Sequence, residues 1–221
     1  MSRFLLVPLL LGTLTACSTV LEERSIGRSV DDTNASWAIK SQMLRAEGFA
    51  LDGVDVEVTE GIALLTGRVP REDDRQMAEC LAWSSVSVRN VANELEVGPG
   101  PSARDRTRDT QITARVNARL VSDRSVRSIN FNVETRNGTV YLLGVARNRG
   151  ELDWATTHAS LIEGVVEVIS YVRVAGTDPN LPARGERRAA ACAGEALPSL
   201  DPGAADLNSG PQLLGGPETN Q

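Results

Sequence analysis

A chain of 221 residues with a formal net charge of −6 has room for one medium domain or two small ones, and its 3 Phe, 3 Trp and 2 Tyr leave any core to Val, Ile, Leu and Ala. Its 3 Cys and 1 His match no zinc-site spacing, and nothing beyond the N-terminal run is long and apolar enough to span a bilayer.

The chain opens with Arg3 and then an apolar run, Phe4 to Leu14, too short for a permanent membrane helix. That is the layout of a secretory signal peptide. The run ends in Leu14-Thr15-Ala16-Cys17, which resembles the lipobox of bacterial lipoproteins. The resemblance implies that residues 1–16 are removed, that the Cys17 thiol takes a diacylglyceryl group, and that the new amino group is acylated, typically with palmitate. Ser18, rather than an Asp, implies sorting to the outer membrane with the body on the periplasmic side. Several acyl chains, at about 0.8 kcal/mol per buried CH₂, make such an anchor stable. Residues 17–31 then read as a tether. With Cys17 lipidated, Cys80 and Cys192 remain, and two thiols are not a disulfide framework.

The body repeats with a period of 77: residues 32–97 fall on 109–174 without a gap. Asp32-Thr33 meets Asp109-Thr110, and Val56-Glu57 meets Val133-Glu134. Gly61, Leu65 and Gly67 meet Gly138, Leu142 and Gly144, while Ala78 and Ala82 meet Ala155 and Ala159. Val88, Val91 and Val97 meet Val165, Val168 and Val174. A unit of this size reads as a duplicated domain rather than a solenoid repeat.

Each copy begins with a helix, marked by Ala35, Ile39 and Met43 or by Ile112, Val116 and Leu120. An alternating strand follows, Val54-Val56-Val58 or Ile129-Phe131-Val133. Glu60-Gly61 and Asn137-Gly138 make a tight turn into a second strand, 62–69 or 139–146. A second helix carries Leu152, Ala155, Ala159 and Ile162 on one face. The last strand alternates Val168, Val172 and Val174, matched by Leu95 and Val97 in the first copy. The order is α-β-β-α-β. A unit of roughly 60 residues is marginal alone, so the two copies are expected to pack on each other.

These residues resemble the BON domain, a periplasmic module of Gram-negative bacteria. Lipobox, an Arg24-Ser25-Ile26-Gly27 segment, Asp31-Asp32 and two such units together resemble the dual-BON outer-membrane lipoproteins. The resemblance implies an α+β fold of two BON units, residues 32–97 and 109–174, each with its helices packed on a small three-stranded mixed sheet. Residues 98–108, opening Gly98-Pro99-Gly100-Pro101, read as a linker. Residues 175–221, rich in Gly, Pro and Ala, read as a disordered tail, too flexible to impose a bridge between Cys192 and Cys80.

No nucleophile elbow, phosphate loop or paired metal-binding histidines occur, and no catalytic residue, metal or cofactor is expected. The chain reads as a non-enzyme. His158 falls where the first copy has Leu81 and reads as structural. Glu72-Asp73-Asp74 sits at a helix start, where carboxylates suit the helix dipole and solvent.

Charge separates the two copies. Residues 31–97 hold 6 basic and 13 acidic side chains, whereas residues 102–174 hold 11 and 8. On the first helix of the second copy Gln111, Arg115 and Arg119 form a stripe beside the core positions, with Arg108 before it. Arg forks suit phosphate oxygens, and a periplasmic address favours anionic phospholipid head groups over nucleic acid. An ordinary solvated helix face is the competing reading of this run. The family resemblance points to the same helix as a phospholipid-binding element, with an aromatic at its start. Here that position is Gln111, while Trp37 lies near the equivalent place in the acidic copy. The expected function is an anionic-phospholipid-binding outer-membrane lipoprotein supporting envelope integrity. The alternative is a protein-interaction module docking on an envelope assembly or cell-wall complex.

Overall fold

A computed structural model describes residues 26–176 and 184–193. Residues 1–16, read as a signal peptide, Cys17 and most of the stretch read as a tether lie outside the described residues, as does the tail apart from residues 175, 176 and 184–193. In chain order the elements are α1 (Ile26–Met43), β1 (Val54–Thr59), β2 (Ile62–Val69), α2 (Glu72–Ala82) and β3 (Asn90–Val97). They continue with α3 (Ala103–Ser122), a 3-10 turn (Ser128–Asn130), β4 (Phe131–Arg136), β5 (Thr139–Ala146), α4 (Arg149–Ser160), β6 (Glu167–Val174) and α5 (Arg184–Ala193). The chain is α+β: two α-β-β-α-β units, then α5.

Each unit holds one three-stranded mixed sheet. β2 pairs antiparallel with β1 and parallel with β3, and β5 does the same with β4 and β6. The hairpins turn tightly because both central residues have positive φ: Glu60 with Gly61, and Asn137 with Gly138. A repeated carboxylate locks each turn. Asp32 of α1 accepts from the Glu60 N–H at 2.8 Å, and Asp109 of α3 accepts from the N–H groups of Asn137 and Gly138 at 2.9 and 3.0 Å. This explains why Asp32 and Asp109 are identical in the two copies: each ties a helix to the turn of its own sheet. Gly67 and Gly144 recur because a Cβ there would lie 2.2 Å from the Gly53 carbonyl oxygen and 1.9 Å from that of Asn130.

The central strands β2 and β5 are apolar on both faces, which the alternation rule reads as burial on both sides. Ala63, Leu65 and Val69 of β2 face α1 and α2 in one core, and Val140, Leu142 and Ala146 of β5 face α3 and α4 in the other. The opposite faces meet each other: Leu64 and Ala92 of the first sheet pack with Tyr141, Leu143 and Tyr171 of the second. The result is four layers, helix–sheet–sheet–helix, with the two sheets back to back. Polar contacts border this seam. Asn132 donates to Glu57 at 2.7 Å, Asn137 donates to Glu96 at 2.9 Å, Tyr171 donates to Glu94, and Arg136 pairs with Asp55. In each, the acidic residue belongs to the first unit. Part of the charge difference between the copies is therefore used inside the molecule.

Four expectations need correction. Helix α1 starts at Ile26, inside the stretch read as a tether, because the apolar period that marks the helix begins only at Ala35. Ile129 is not a core strand residue: it is exposed in the 3-10 turn, and β4 starts at Phe131. The tail is not disordered throughout, since residues 184–193 form α5, which packs on α2. Cys192 is bonded to Cys80, contrary to expectation. Arg187 of α5 lies 4.8 Å from the centre of the Trp83 ring and donates to Asn90 Oδ1 at 2.6 Å, and Ala191 joins the first core. Small side chains let the helix sit close, so its docking needs few large apolar residues.

Candidate lipid-contact surface on the second unit

Helix α3 is set by its ends and its buried stripe. Ser102 caps it: its hydroxyl accepts from the Asp105 N–H at 3.2 Å, and the Asp105 carboxylate reaches back to the Ser102 N–H. Ile112, Val116 and Leu120 are buried against the sheet. Arg108, Gln111, Arg115 and Arg119 are all exposed on one flank of that stripe.

That flank faces α4. Arg108 Nη2 donates to the Gly164 carbonyl at 3.2 Å, and Arg119 Nε donates to His158 Nδ1 at 3.3 Å. The two contacts show that α3 and α4 run antiparallel, with the basic row along their groove. His158 is 7% exposed. It accepts from Arg119 on Nδ1, so its proton sits on Nε2 and points at Asp123, whose carboxylate it meets. The Ser125 N–H and the His158 contact hold the Asp123 carboxyl below its ordinary range. His158 joins the end of α3 to α4, so the position read as matching apolar Leu81 holds a polar contact.

Trp154, one turn before His158, has its ring centre 6.0 Å from that of the imidazole and is 46% exposed. Leu161, just past the end of α4, is 69% exposed. Gln111 leaves α3 without an aromatic, but the neighbouring helix brings one to the same groove. Sequence reading missed this, because Trp154 falls on a different element 35 residues from Arg119 along the chain and only the fold puts them together.

Asp74, read with Glu72 and Asp73 as a helix start suited to solvent, is instead one of a second pair of buried carboxylates. Asp74 is buried, takes two guanidinium bonds from Arg71 and accepts from the Ala50 N–H at 3.1 Å. Glu151 stands at the same place in the second unit, accepting from the N–H groups of Arg127 and Arg147 at 2.6 Å each. Both tie the second helix of a unit to the loop after its first. Among the described residues no group of His, Cys, Asp or Glu could hold a metal ion, and no helix is long and apolar enough to cross a membrane.

Duplicated α-β-β-α-β units, back to back and with an exposed basic row on the second, define a two-domain module. The BON-domain family model matches residues 31–99 and 108–176, and the chain belongs to that family. It is 34% identical over 146 residues to an uncharacterized protein in the gshII 5′ region of Anaplasma centrale, covering 66% of this chain and 95% of that protein. It is 29% identical over 163 residues to the outer membrane lipoprotein DolP of Haemophilus influenzae, covering 73% of this chain and 84% of that one. It is 25% identical over 145 residues to the osmotically-inducible protein Y of Escherichia coli, covering 65% and 72%.

Proposed function

We propose that this chain is an outer-membrane lipoprotein, anchored through Cys17 on the periplasmic side, that binds anionic phospholipid and supports envelope integrity. The observation that carries the reading is the exposed row Arg108, Arg115 and Arg119 along one flank of α3, with Gln111 beside it. Guanidinium forks there can engage phosphate oxygens from an open surface. The lipobox residues and the relative named as an outer membrane lipoprotein support the anchor. The Cys80–Cys192 bond supports an oxidising compartment such as the periplasm.

The test is co-sedimentation of the unacylated Cys17→Ser chain with vesicles of phosphatidylglycerol or of phosphatidylcholine. Arg115→Glu with Arg119→Glu should weaken phosphatidylglycerol binding more than tenfold. Each basic residue at such a surface is worth about 1 kcal/mol, and reversal adds repulsion. Binding should also fall as salt is raised, because the contact is exposed. In the first unit Lys40 donates to the backbone carbonyls of Asp52 and Val54, so reversing it would disturb the fold. Exposed Arg45 is the sound control, and Arg45→Glu should change binding by less than twofold.

A second reading, docking on an envelope protein complex, is favoured by the outer face of α1. There Trp37 is 71% exposed, with Leu44 two turns on. Wild-type protein that ignores both vesicle types would favour it.

A further inference from the structure

We infer that the lipid-contact surface is composite: α3 supplies the arginines, and α4 supplies the apolar side chains that enter the membrane interface, Trp154 and Leu161. The inference rests on the phospholipid reading above and goes beyond it in naming the inserting residues and the orientation.

The register of the two helices carries the case. Arg119 meets His158 at one end of the groove and Arg108 meets the Gly164 carbonyl at the other. Arg115, one turn before Arg119, therefore lies opposite the stretch that carries Leu161. Exposed Leu161 thus lies across from the basic row, and exposed Trp154 lies one turn of α4 past its Arg119 end, against His158. Arginines outnumber carboxylates on this flank, where Asp153, next to Trp154, pairs with Arg149. Asp123 is engaged by His158 and Ser125, which leaves the exposed Glu163 as the acid next to Gly164.

The two walls suit one occupant. A bilayer surface offers phosphates to the arginines and, a few ångströms deeper, an apolar boundary for a side chain at the rim. Tryptophan is suited to that depth, with an apolar ring and one N–H donor. A free phosphate or a soluble anion would use the arginines and leave Trp154 and Leu161 in water. His158 has a positioning role: it holds Arg119 from one side and stacks on Trp154 from the other, fixing the two chemistries side by side.

The test uses the unacylated Cys17→Ser chain and vesicles of phosphatidylglycerol mixed with phosphatidylcholine. Trp154→Ala should lower vesicle affinity at least tenfold and Leu161→Ser severalfold, while Trp37→Ala stays within twofold. Trp154→Tyr keeps a ring against His158 and should retain affinity within about threefold. That variant separates a lost insertion from a lost fold. In a Trp37→Phe chain, emission from Trp154 should shift to the blue on vesicles and be quenched by bromine-labelled acyl chains, whereas buried Trp83 should not respond. Trp154→Ala binding within twofold of wild type, with Arg115→Glu/Arg119→Glu binding lost, would overturn the composite surface and leave the arginine row standing. Loss on Trp37→Ala but not on Trp154→Ala would overturn it in favour of a membrane-facing first unit. Absence of vesicle binding by the parent chain would remove the phospholipid reading itself and this inference with it.

Discussion

Four carboxylates, two in each unit, do structural work that their charge conceals. Asp32 and Asp109 neutralise the open N–H groups of a hairpin turn, and Asp74 and Glu151 do the same for a loop and a helix start. A buried carboxylate is tolerated only when such donors replace its water. The Arg71 guanidinium, with the Ala50 N–H, holds Asp74 below its ordinary range. Burial alone would raise Glu151, but the Arg147 side chain and the N–H groups of Arg127 and Arg147 outweigh it and hold it low. A depressed folded-state value means the contribution is complete above the unfolded carboxylate range, about 4, and is lost as pH falls through the folded values. The melting temperature should therefore drop as the medium is acidified from about pH 5 to pH 3. Glu151→Gln should cost about 2 kcal/mol at pH 7, since bonds to a charged acceptor are among the stronger ones. Combined with Asp74→Asn it should flatten the acid slope. Urea titrations across that pH range check both outcomes.

At the scale of elements, α5 and α3 show two ways in which a helix is held. Helix α3 is defined by its own cap, its buried stripe of Ile112, Val116 and Leu120, and the Asp109 clamp. Helix α5 is held by the Cys80–Cys192 bond, Arg187 over Trp83 and one buried alanine. The bond spans 112 residues of chain, so cross-linking removes much unfolded-state entropy, up to about 5 kcal/mol in the loop-closure picture. Cys80→Ser, or reduction of the parent chain, should lower the urea midpoint, and the unacylated Cys17→Ser chain should show no free thiol by intact mass under non-reducing conditions. An unchanged midpoint after complete reduction would mean that α5 adds little to stability.

In the whole molecule, neither unit faces solvent on both sides of its sheet. The seam of Leu64, Ala92, Tyr141, Leu143 and Tyr171 turns two small domains into one four-layer body. Glu94 stands at its border, accepting from Tyr171, and burial with this neighbouring carboxylate keeps both tyrosines protonated well above their ordinary range. A double-mutant cycle of Glu94→Gln with Tyr171→Phe should give a coupling of about 1–3 kcal/mol, measured by chemical denaturation. Coupling indistinguishable from zero would mean that this hydrogen bond adds nothing to the joining of the units. Back-to-back sheets place α1 with α2 and α3 with α4 on opposite outer faces. A flat membrane can therefore meet one helix layer at a time, which is why Trp37 and Trp154 give opposite predictions.

Much of this was legible in the amino-acid order. Glycines at the turns, apolar residues every second position in strands and every third or fourth in helices, and a duplicate of each, specify two α-β-β-α-β units and their cores. Those signals are local and periodic, so they survive in one dimension. The exposed arginines of α3 were legible for the same reason, as a stripe beside a core stripe. What escaped depends on pairs far apart in the chain, which leave no period: Cys80 with Cys192, Glu94 with Tyr171, Arg119 with His158, and Trp154 beside the basic row. Helix α5 escaped because its docking rests on small side chains and one covalent bond rather than an apolar face. The acidic and basic character of the two copies is plain in their composition, but whether those charges meet each other or a partner is a matter of which surfaces the packed sheets leave outside.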